Sequence, residues 1–336
     1  MVERVKWGVM GNATIARKCV IPAIQKSGNA AVHALATRSP ARAQEVAADN
    51  HIERIYDSYD ALLMDPAIEI IYIPLPNHLH RPWAIKALNA GKHVLCEKPL
   101  ACSAKQAEEM VTAAEDARRL LMEAFMYRFH PRSRRIKQMV VEGRIGVPCL
   151  VRSAFCYRMS EKDRTNKENA RLKPETGGGA LLDVGCYSVN AARWFFEAEP
   201  IQVQARAVYH PGGVDVHVVG ILGFAGSGLA TFEASFISAL QQTYSVVGPD
   251  GAIELPHNAF IPWEKDTVFL LRGWDREEGR QHVVTGADEY QIMVEHFTDA
   301  VSGKTRLMYP PADSICNMRV LDALAQAARS GETIKL

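Results

Sequence analysis

Val5-Lys6-Trp7-Gly8-Val9-Met10-Gly11-Asn12-Ala13-Thr14-Ile15-Ala16 is the stretch on which the fold turns. Residues 5–10 read as a buried strand, the next few as a tight turn of small residues, and 15–26 as a helix with apolar periodicity. Gly11, Ala13 and Ala16 stand in the three small-residue positions of the G-x-G-x-x-G/A turn that opens a dinucleotide-binding βαβ unit. Gly11 permits the turn, Ala13 keeps the backbone near a pyrophosphate, and Ala16 lets helix and strand pack closely. Gly8, Gly11, Asn12, Ala13, Thr14 and Ile15 are therefore expected at a bound dinucleotide, whose phosphates meet the free N–H groups of the helix start.

The same rhythm continues outward from this turn. Apolar strand patterns at 31–36, 68–73, 93–96 and 120–123 alternate with helical patterns at 40–49, 81–90 and 103–118. Ser103 and Gln106 have the spacing of a capping box at the start of the last helix. Strand–helix alternation implies a parallel sheet covered on both faces, so residues 1–125 are read as an α/β Rossmann domain. Beyond it strands follow strands, at 149–157, 201–208, 214–224, 229–236, 243–247, 252–255 and 267–271, with a Gly-Pro-Asp-Gly turn at 248–251. Helical patterns at 288–302 and 313–329 follow. Residues 126–336 are read as an α+β domain with an open, mainly antiparallel sheet, expected to bind substrate and to carry oligomerisation.

Ligands of parallel sheets lie beyond the carboxyl ends of the strands, so those ends hold the candidate site. The second strand ends in Leu35-Ala36-Thr37-Arg38-Ser39-Pro40, without the acid that would hold the ribose hydroxyls of NAD. Arg38 suits adenine stacking and a 2′-phosphate, with Thr37 and Ser39 as hydroxyl donors; NADP is expected, with NAD as the alternative. Pro74-Leu75-Pro76-Asn77-His78-Leu79-His80 follows another buried strand. Leu75, Pro76, Asn77 and His80 are expected at the cofactor, Asn77 and His80 facing its ribose, with helix capping as the structural role open to Asn77. Cys96-Glu97-Lys98-Pro99 ends the next strand, with Glu97 assigned to the turn or the ribose and Lys98 set beside the reactive end of the cofactor.

In the second half, the charged stretch 160–175 leads into Gly177-Gly178-Gly179 and reads as a loop over a site. Asp183 and Tyr187 are four residues apart, close to one helical turn, and share a face. Tyrosine is a poor base at neutral pH, and a neighbouring ammonium such as that of Lys98 lowers its pKa. Tyr187 then serves as general base for oxidation and general acid for reduction, Lys98 stabilises a developing alkoxide, and Asp183 binds substrate hydroxyls or orients Lys98. The structural alternatives are a core tyrosine and a helix-capping aspartate. Arg128, Tyr157 and Arg171 are further candidates for substrate contact.

Three segments, Cys96-Glu97-Lys98-Pro99, Glu123-Ala124-Phe125-Met126-Tyr127-Arg128-Phe129-His130-Pro131 and Gly177-Gly178-Gly179-Ala180-Leu181-Leu182-Asp183-Val184-Gly185-Cys186-Tyr187, occur in this order after the dinucleotide turn. Together they resemble the Gfo/Idh/MocA oxidoreductase family across essentially the whole chain. Within it they are similar to the subgroup of glucose–fructose oxidoreductase, NADP-dependent D-xylose dehydrogenase and dimeric dihydrodiol dehydrogenase. Ala13 departs from the glycine of many members. Tyr187 stands where the inositol dehydrogenase branch has histidine, which steers the resemblance to the aldose and dihydrodiol branch. The resemblance implies NADP-dependent oxidation of an aldose at C1 to the lactone, of the D-xylose or D-glucose type. Its alternatives are trans-1,2-dihydrodiol oxidation, reduction of a sugar ketone of the anhydrofructose type, and a non-catalytic NAD(P)-binding regulator.

Composition narrows the partners. A net charge of +1 and no basic run argue against nucleic acid or an anionic membrane. No apolar run reaches the roughly 18 residues needed to span a bilayer, and the N-terminal segment lacks the pattern of a secretory signal. The seven cysteines form no C-x-x-C pair and are read as reduced thiols of a cytoplasmic protein. No His or Cys spacing suggests a metal site. The expected partners are a small polyhydroxy substrate and further copies of the chain, as a homodimer or homotetramer formed through the second domain's sheet.

Overall fold

The computed structural model describes residues 4–37 and 40–336. Its first third lays down β1 (Val5–Met10), a π-helical turn (Ala16–Val20) running into α1 (Ile21–Lys26), β2 (Ala30–Ala36), α2 (Pro40–Asp49), β3 (Arg54–Tyr56), α3 (Tyr59–Met64), β4 (Ile70–Ile73), α4 (Asn77–Asn89), β5 (His93–Cys96), α5 (Ala104–Ala117) and β6 (Leu121–Glu123). All neighbouring strands pair in parallel in the order β3-β2-β1-β4-β5-β6. The strand order reverses at β1 and β4, the point at which such sheets receive ligands. Ile70 to Ile73 and Val94 to Cys96 are all buried, as strands covered on both faces must be. The capping box forms with one shift: Ser103 Oγ accepts from Gln106 N at 3.4 Å, while Gln106 Oε1 accepts from Cys102 N at 3.2 Å.

The chain continues with α6 (Pro131–Val141), β7 (Leu150–Cys156), α7 (Glu161–Thr165), a π-helical turn (Leu181–Gly185) running into α8 (Cys186–Phe196), and β8 (Pro200–Tyr209). Then come β9 (Asp215–Phe224), β10 (Leu229–Ser235), β11 (Gln241–Gly248), β12 (Gly251–Leu255), β13 (Thr267–Gly273) and β14 (Arg280–Val284). α9 (Glu289–Val301), α10 (Pro311–Ser330) and β15 (Ile334–Lys335) close it. The nine strands β7 to β15 form one sheet, β14-β13-β12-β11-β7-β10-β9-β8-β15. Only the β7–β10 pair is parallel, so the sheet is mainly antiparallel, as expected. α8 packs on β7 and β10. The other face leaves Val208, Val219, Ile221 and Leu229 between 42% and 54% exposed.

The described chain divides into two compact units, residues 1–129 with 288–315, and residues 130–287 with 316–336. The first unit thus recruits α9, which a boundary near residue 125 leaves in the second. Trp7 explains the return. Its wholly buried indole donates Nε1–H to Thr298 Oγ1 at 3.2 Å and meets the Phe297 ring edge-on at 5.9 Å. β3, α3, α6, α7, β14 and β15 are not among the expected elements, α7 being a short helix inside the stretch read as a loop. β3 and β15 are too short to show a period, and β14 is an exposed polar strand.

Candidate active site

In the first unit, the loops after β1, β4 and β5 emerge side by side from adjacent strands. Asn12, Ala13, Ile15, Leu75, Asn77, Glu97 and Lys98 are half-buried there, and Thr14 and Pro76 are exposed. This is a lined but open edge. Gly11 turns the chain with φ +105°, its N–H donating to Ala36 O at 2.8 Å. That φ favours glycine, and a Cβ there would lie 2.9 Å from Leu75 Cδ2, whose side chain would have to move. Gly8 lies one step further in, within β1 against Ile68 and Ile71, where its missing side chain makes room for the core. Thr37 is buried, with its N–H on Tyr56 O. Arg38 and Ser39 lie outside the described residues.

The Lys98 loop is held from three directions. The Tyr72 hydroxyl donates to Glu97 Oε1 at 2.6 Å, and burial, reinforced by that carboxylate, raises the phenol's pKa well above its usual value. Leu100 N donates to Glu123 Oε1 at 2.8 Å, and Glu123 is buried. The His80 ring is wholly buried, with Nδ1 2.9 Å from Pro99 O and Nε2 2.7 Å from Leu75 O. Burial outweighs these carbonyls and pushes the imidazole pKa down to about 4, so the neutral ring donates to one of them. Both nitrogens face backbone carbonyls, so the ring is turned to the Leu75 and Pro99 backbone instead of a ribose, and its single N–H bonds one of the two loops. Asn77 is the first residue of α4, and Pro76, which precedes it, supplies no side-chain cap. The Lys98–Pro99 peptide is cis.

Arg128 is also engaged within the first unit. Its guanidinium lies 4.2 Å from the centre of the Tyr309 ring, Nη1 is 3.0 Å from Asp313 Oδ2, and the side chain is buried. The Tyr309 hydroxyl donates to Glu123 O at 2.5 Å, linking this ion pair to the strand end beside Lys98.

In the second unit, Tyr157, Arg171 and Asp183 come together, as three of the residues expected at a substrate. Asp183 Oδ2 accepts from Arg171 Nε at 2.8 Å and from the Tyr157 hydroxyl at 3.2 Å. The carboxylate raises the guanidinium's pKa, while burial and the same carboxylate raise the phenol's. Asp183 lies in the π-helical turn and Tyr187 in the first turn of α8. Tyr187 is only 4% exposed, with the rings of Phe155 and Phe260 at 5.3 and 5.4 Å. It is thus both a wall of an aromatic cluster and the tyrosine of the candidate centre. Phe260 reaches it from a loop whose Asn258 and Ala259 carbonyls accept from the buried Arg132, at 2.9 and 2.6 Å. Neither Phe260 nor Arg132 carried a sequence signal for this role, since the loop has no period.

Among the described residues no group of His, Cys, Asp or Glu side chains is arranged to hold a metal ion, and no helix is long and apolar enough to cross a membrane. All seven cysteines are free.

Residues 5–125 match the model of an oxidoreductase family with an NAD-binding Rossmann fold (GFO_IDH_MocA), and residues 133–254 match the GFO/IDH/MocA C-terminal domain. The chain is 37% identical over 335 residues to a D-xylose 1-dehydrogenase (NADP(+)) of Haloferax volcanii, covering 98% of this chain and 99% of that one. It is 31% identical to a trans-1,2-dihydrobenzene-1,2-diol dehydrogenase of Xenopus tropicalis, over 81% of this chain and 80% of the relative. A crystal structure of aldose-aldose oxidoreductase from Caulobacter crescentus in complex with glycerol superposes with a TM-score of 0.90 at 25% identity, covering 99% of this chain and 100% of the other.

Proposed function

Because this chain belongs to the GFO/IDH/MocA family of NAD(P)-dependent oxidoreductases, we propose that it oxidises an aldose at C1 to the lactone with NADP, D-xylose and D-glucose being the first substrates to try. The observation that carries this reading is the half-buried Lys98, set at the end of β5 on the same sheet edge as the Gly11 turn. End-to-end similarity to an NADP-dependent D-xylose dehydrogenase supports the substrate class and the cofactor. Similarity to dihydrodiol dehydrogenases supports a second reading, oxidation of a trans-dihydrodiol by the same residues.

The loops fit a dinucleotide. Gly11 turns the chain at a positive φ, and the half-buried Asn12 and Ala13 precede a helical segment that opens at the exposed Thr14, whose first N–H groups suit a pyrophosphate. When bound, the nicotinamide supplies the hydride acceptor. Lys98 donates to the reacting oxygen and favours its deprotonated form. Tyr187 takes the hydroxyl proton, and Asp183, held by Arg171 and Tyr157, accepts from a substrate hydroxyl. Thr37, Arg38 and Ser39 read the 2′-phosphate. The apolar residues on the open sheet face support pairing with a second copy, which sedimentation at micromolar protein tests.

The test is absorbance at 340 nm with NADP⁺ and a panel of aldoses, polyols and diols. Turnover of an aldose is expected. Lys98→Ala should abolish it while leaving dinucleotide affinity within about threefold of wild type, as for a group acting in the transition state. Wild-type turnover in that variant would sink the mechanism. Tight NADP binding with no turnover of any compound would favour a regulator.

A further inference from the structure

We propose that Asp215 is a positioning residue for proton transfer: its carboxylate anchors the start of the helical segment that carries Asp183 and Tyr187. The inference rests on the roles given to those two residues above.

Asp215 opens β9, 34 positions along the chain from the group it holds. Its Oδ2 accepts from Leu181 N at 2.7 Å, and the neighbouring N–H of Ala180 also favours its charged form. Leu181 begins the π-helical turn Leu181–Gly185, which contains Asp183 and runs into α8, where Tyr187 is the second residue. The first N–H groups of a helix have no partner within it, and a carboxylate there satisfies them and complements the dipole. This helix has no side-chain cap from the residue preceding it, Ala180. A strand supplies that carboxylate instead.

The preceding residue confirms how closely the two parts meet. Gly179 has φ +115°, and a Cβ on it would stand 2.4 Å from Asp215 Oδ1. Gly179 N also donates to Arg171 O at 2.9 Å. The glycine run therefore brings three things to one place: the Arg171 loop, the Asp215 carboxylate and the first turn below Asp183. A change at Asp215 shifts that turn relative to Arg171 and Tyr157, which contact Asp183, and relative to Phe155 and Phe260, which contact Tyr187. Burial pushes the Asp215 carboxyl above the usual carboxylate range even though the N–H groups of Leu181 and Ala180 pull it down. A half-buried carboxylate that bonds Leu181 N and packs against Gly179 has a local task.

The experiment compares Asp215→Ala and Asp215→Asn in the full-length enzyme with NADP⁺ and the best aldose of the panel. In D215A, kcat is expected to fall by about tenfold to a hundredfold, the loss that a displacement near 1 Å causes, with the KM for NADP within about twofold of wild type. D215N keeps an oxygen acceptor for one N–H and should lose only about threefold in kcat, a partial rescue that general destabilisation does not produce. Wild-type kcat in D215A, or equal impairment of the two variants, would overturn the proposal. If D215A does not fold, D215N decides alone: a lowered kcat with unchanged dinucleotide KM supports it, and wild-type kcat overturns it. Tyr187→Phe and Asp183→Asn are measured alongside. Full activity in both removes the underlying reading, whereas inactivity in both beside an unimpaired D215A removes only the role of Asp215.

Discussion

The Tyr72 hydroxyl donates to Glu97 Oε1 at 2.6 Å, so the residue before Lys98 is fastened to the strand beneath it. Tyr72 is wholly buried in β4, which leaves its hydroxyl little choice of direction. Tyr72→Phe removes the donor and keeps the ring. A hydrogen bond to a charged group contributes about 1.5–3 kcal/mol, and a loss of that size in urea unfolding is expected. A superimposable unfolding curve would show that the bond does not hold the loop.

Gly179→Ala meets two obstacles, a positive φ and a carboxylate oxygen 2.4 Å from the new methyl. The variant is expected to lose about 2–4 kcal/mol, more than an ordinary glycine-to-alanine exchange, because Asp215 cannot retreat without releasing Leu181 N. Thermal unfolding checks this. Gly226 also has a positive φ but nothing near its missing side chain, so Gly226→Ala gives the cost of conformation alone.

Acid should unfold the protein through its buried histidines. His130 is wholly buried, and its Nδ1 accepts from Arg132 N at 3.0 Å, which requires an unprotonated nitrogen. Burial, with some help from the Arg132 charge, pushes its pKa down to about 4; His80 is likewise near 4. In the unfolded chain both titrate near 6.5, so between these values the unfolded state binds more protons and stability rises with pH. The contribution is complete above pH 6.5 and is lost as pH falls toward 4, on the order of 3 kcal/mol for each ring. His130→Asn keeps an acceptor for the helix start and no longer titrates. It should flatten the dependence of the urea midpoint between pH 6.5 and 4, and an unchanged slope would rule His130 out.

Cofactor choice is tested at the end of β2. Arg38→Ala is expected to raise the KM for NADP by about tenfold to a hundredfold and to change that for NAD little, since a guanidinium paired with a phosphate acts on only one of them. Equal effects on both dinucleotides would remove Arg38 as the phosphate reader.

Much of this molecule is legible in its residues, for reasons that can be named. A strand buried on both faces is an unbroken apolar run, and Ile70-Ile71-Tyr72-Ile73 is one. A helix start with its own cap is local, and Ser103 shows it. What escaped reading is long-range or inverted in chemistry. Asp215 caps a helix from another strand, and nothing in Gly213-Val214-Asp215 points to Leu181. His80 is polar and beside a site, so it reads as a ligand contact, yet burial has turned both nitrogens toward the backbone. Residues 288–302 are plainly helical, but periodicity does not say which core receives them, and Trp7 decides that from the far end of the chain.

That last attachment bears on how the protein comes off the ribosome. The nucleotide-binding strands precede the second sheet in synthesis order, but Trp7 meets Thr298 only after a further 291 residues have been made. A nascent chain stopped after β6 must hold the indole and the α1 surface that α9 covers open to solvent throughout translation of the second sheet. The part that is made first is therefore finished late, and a truncated copy of residues 1–129 lacks the helix that covers Trp7 and α1.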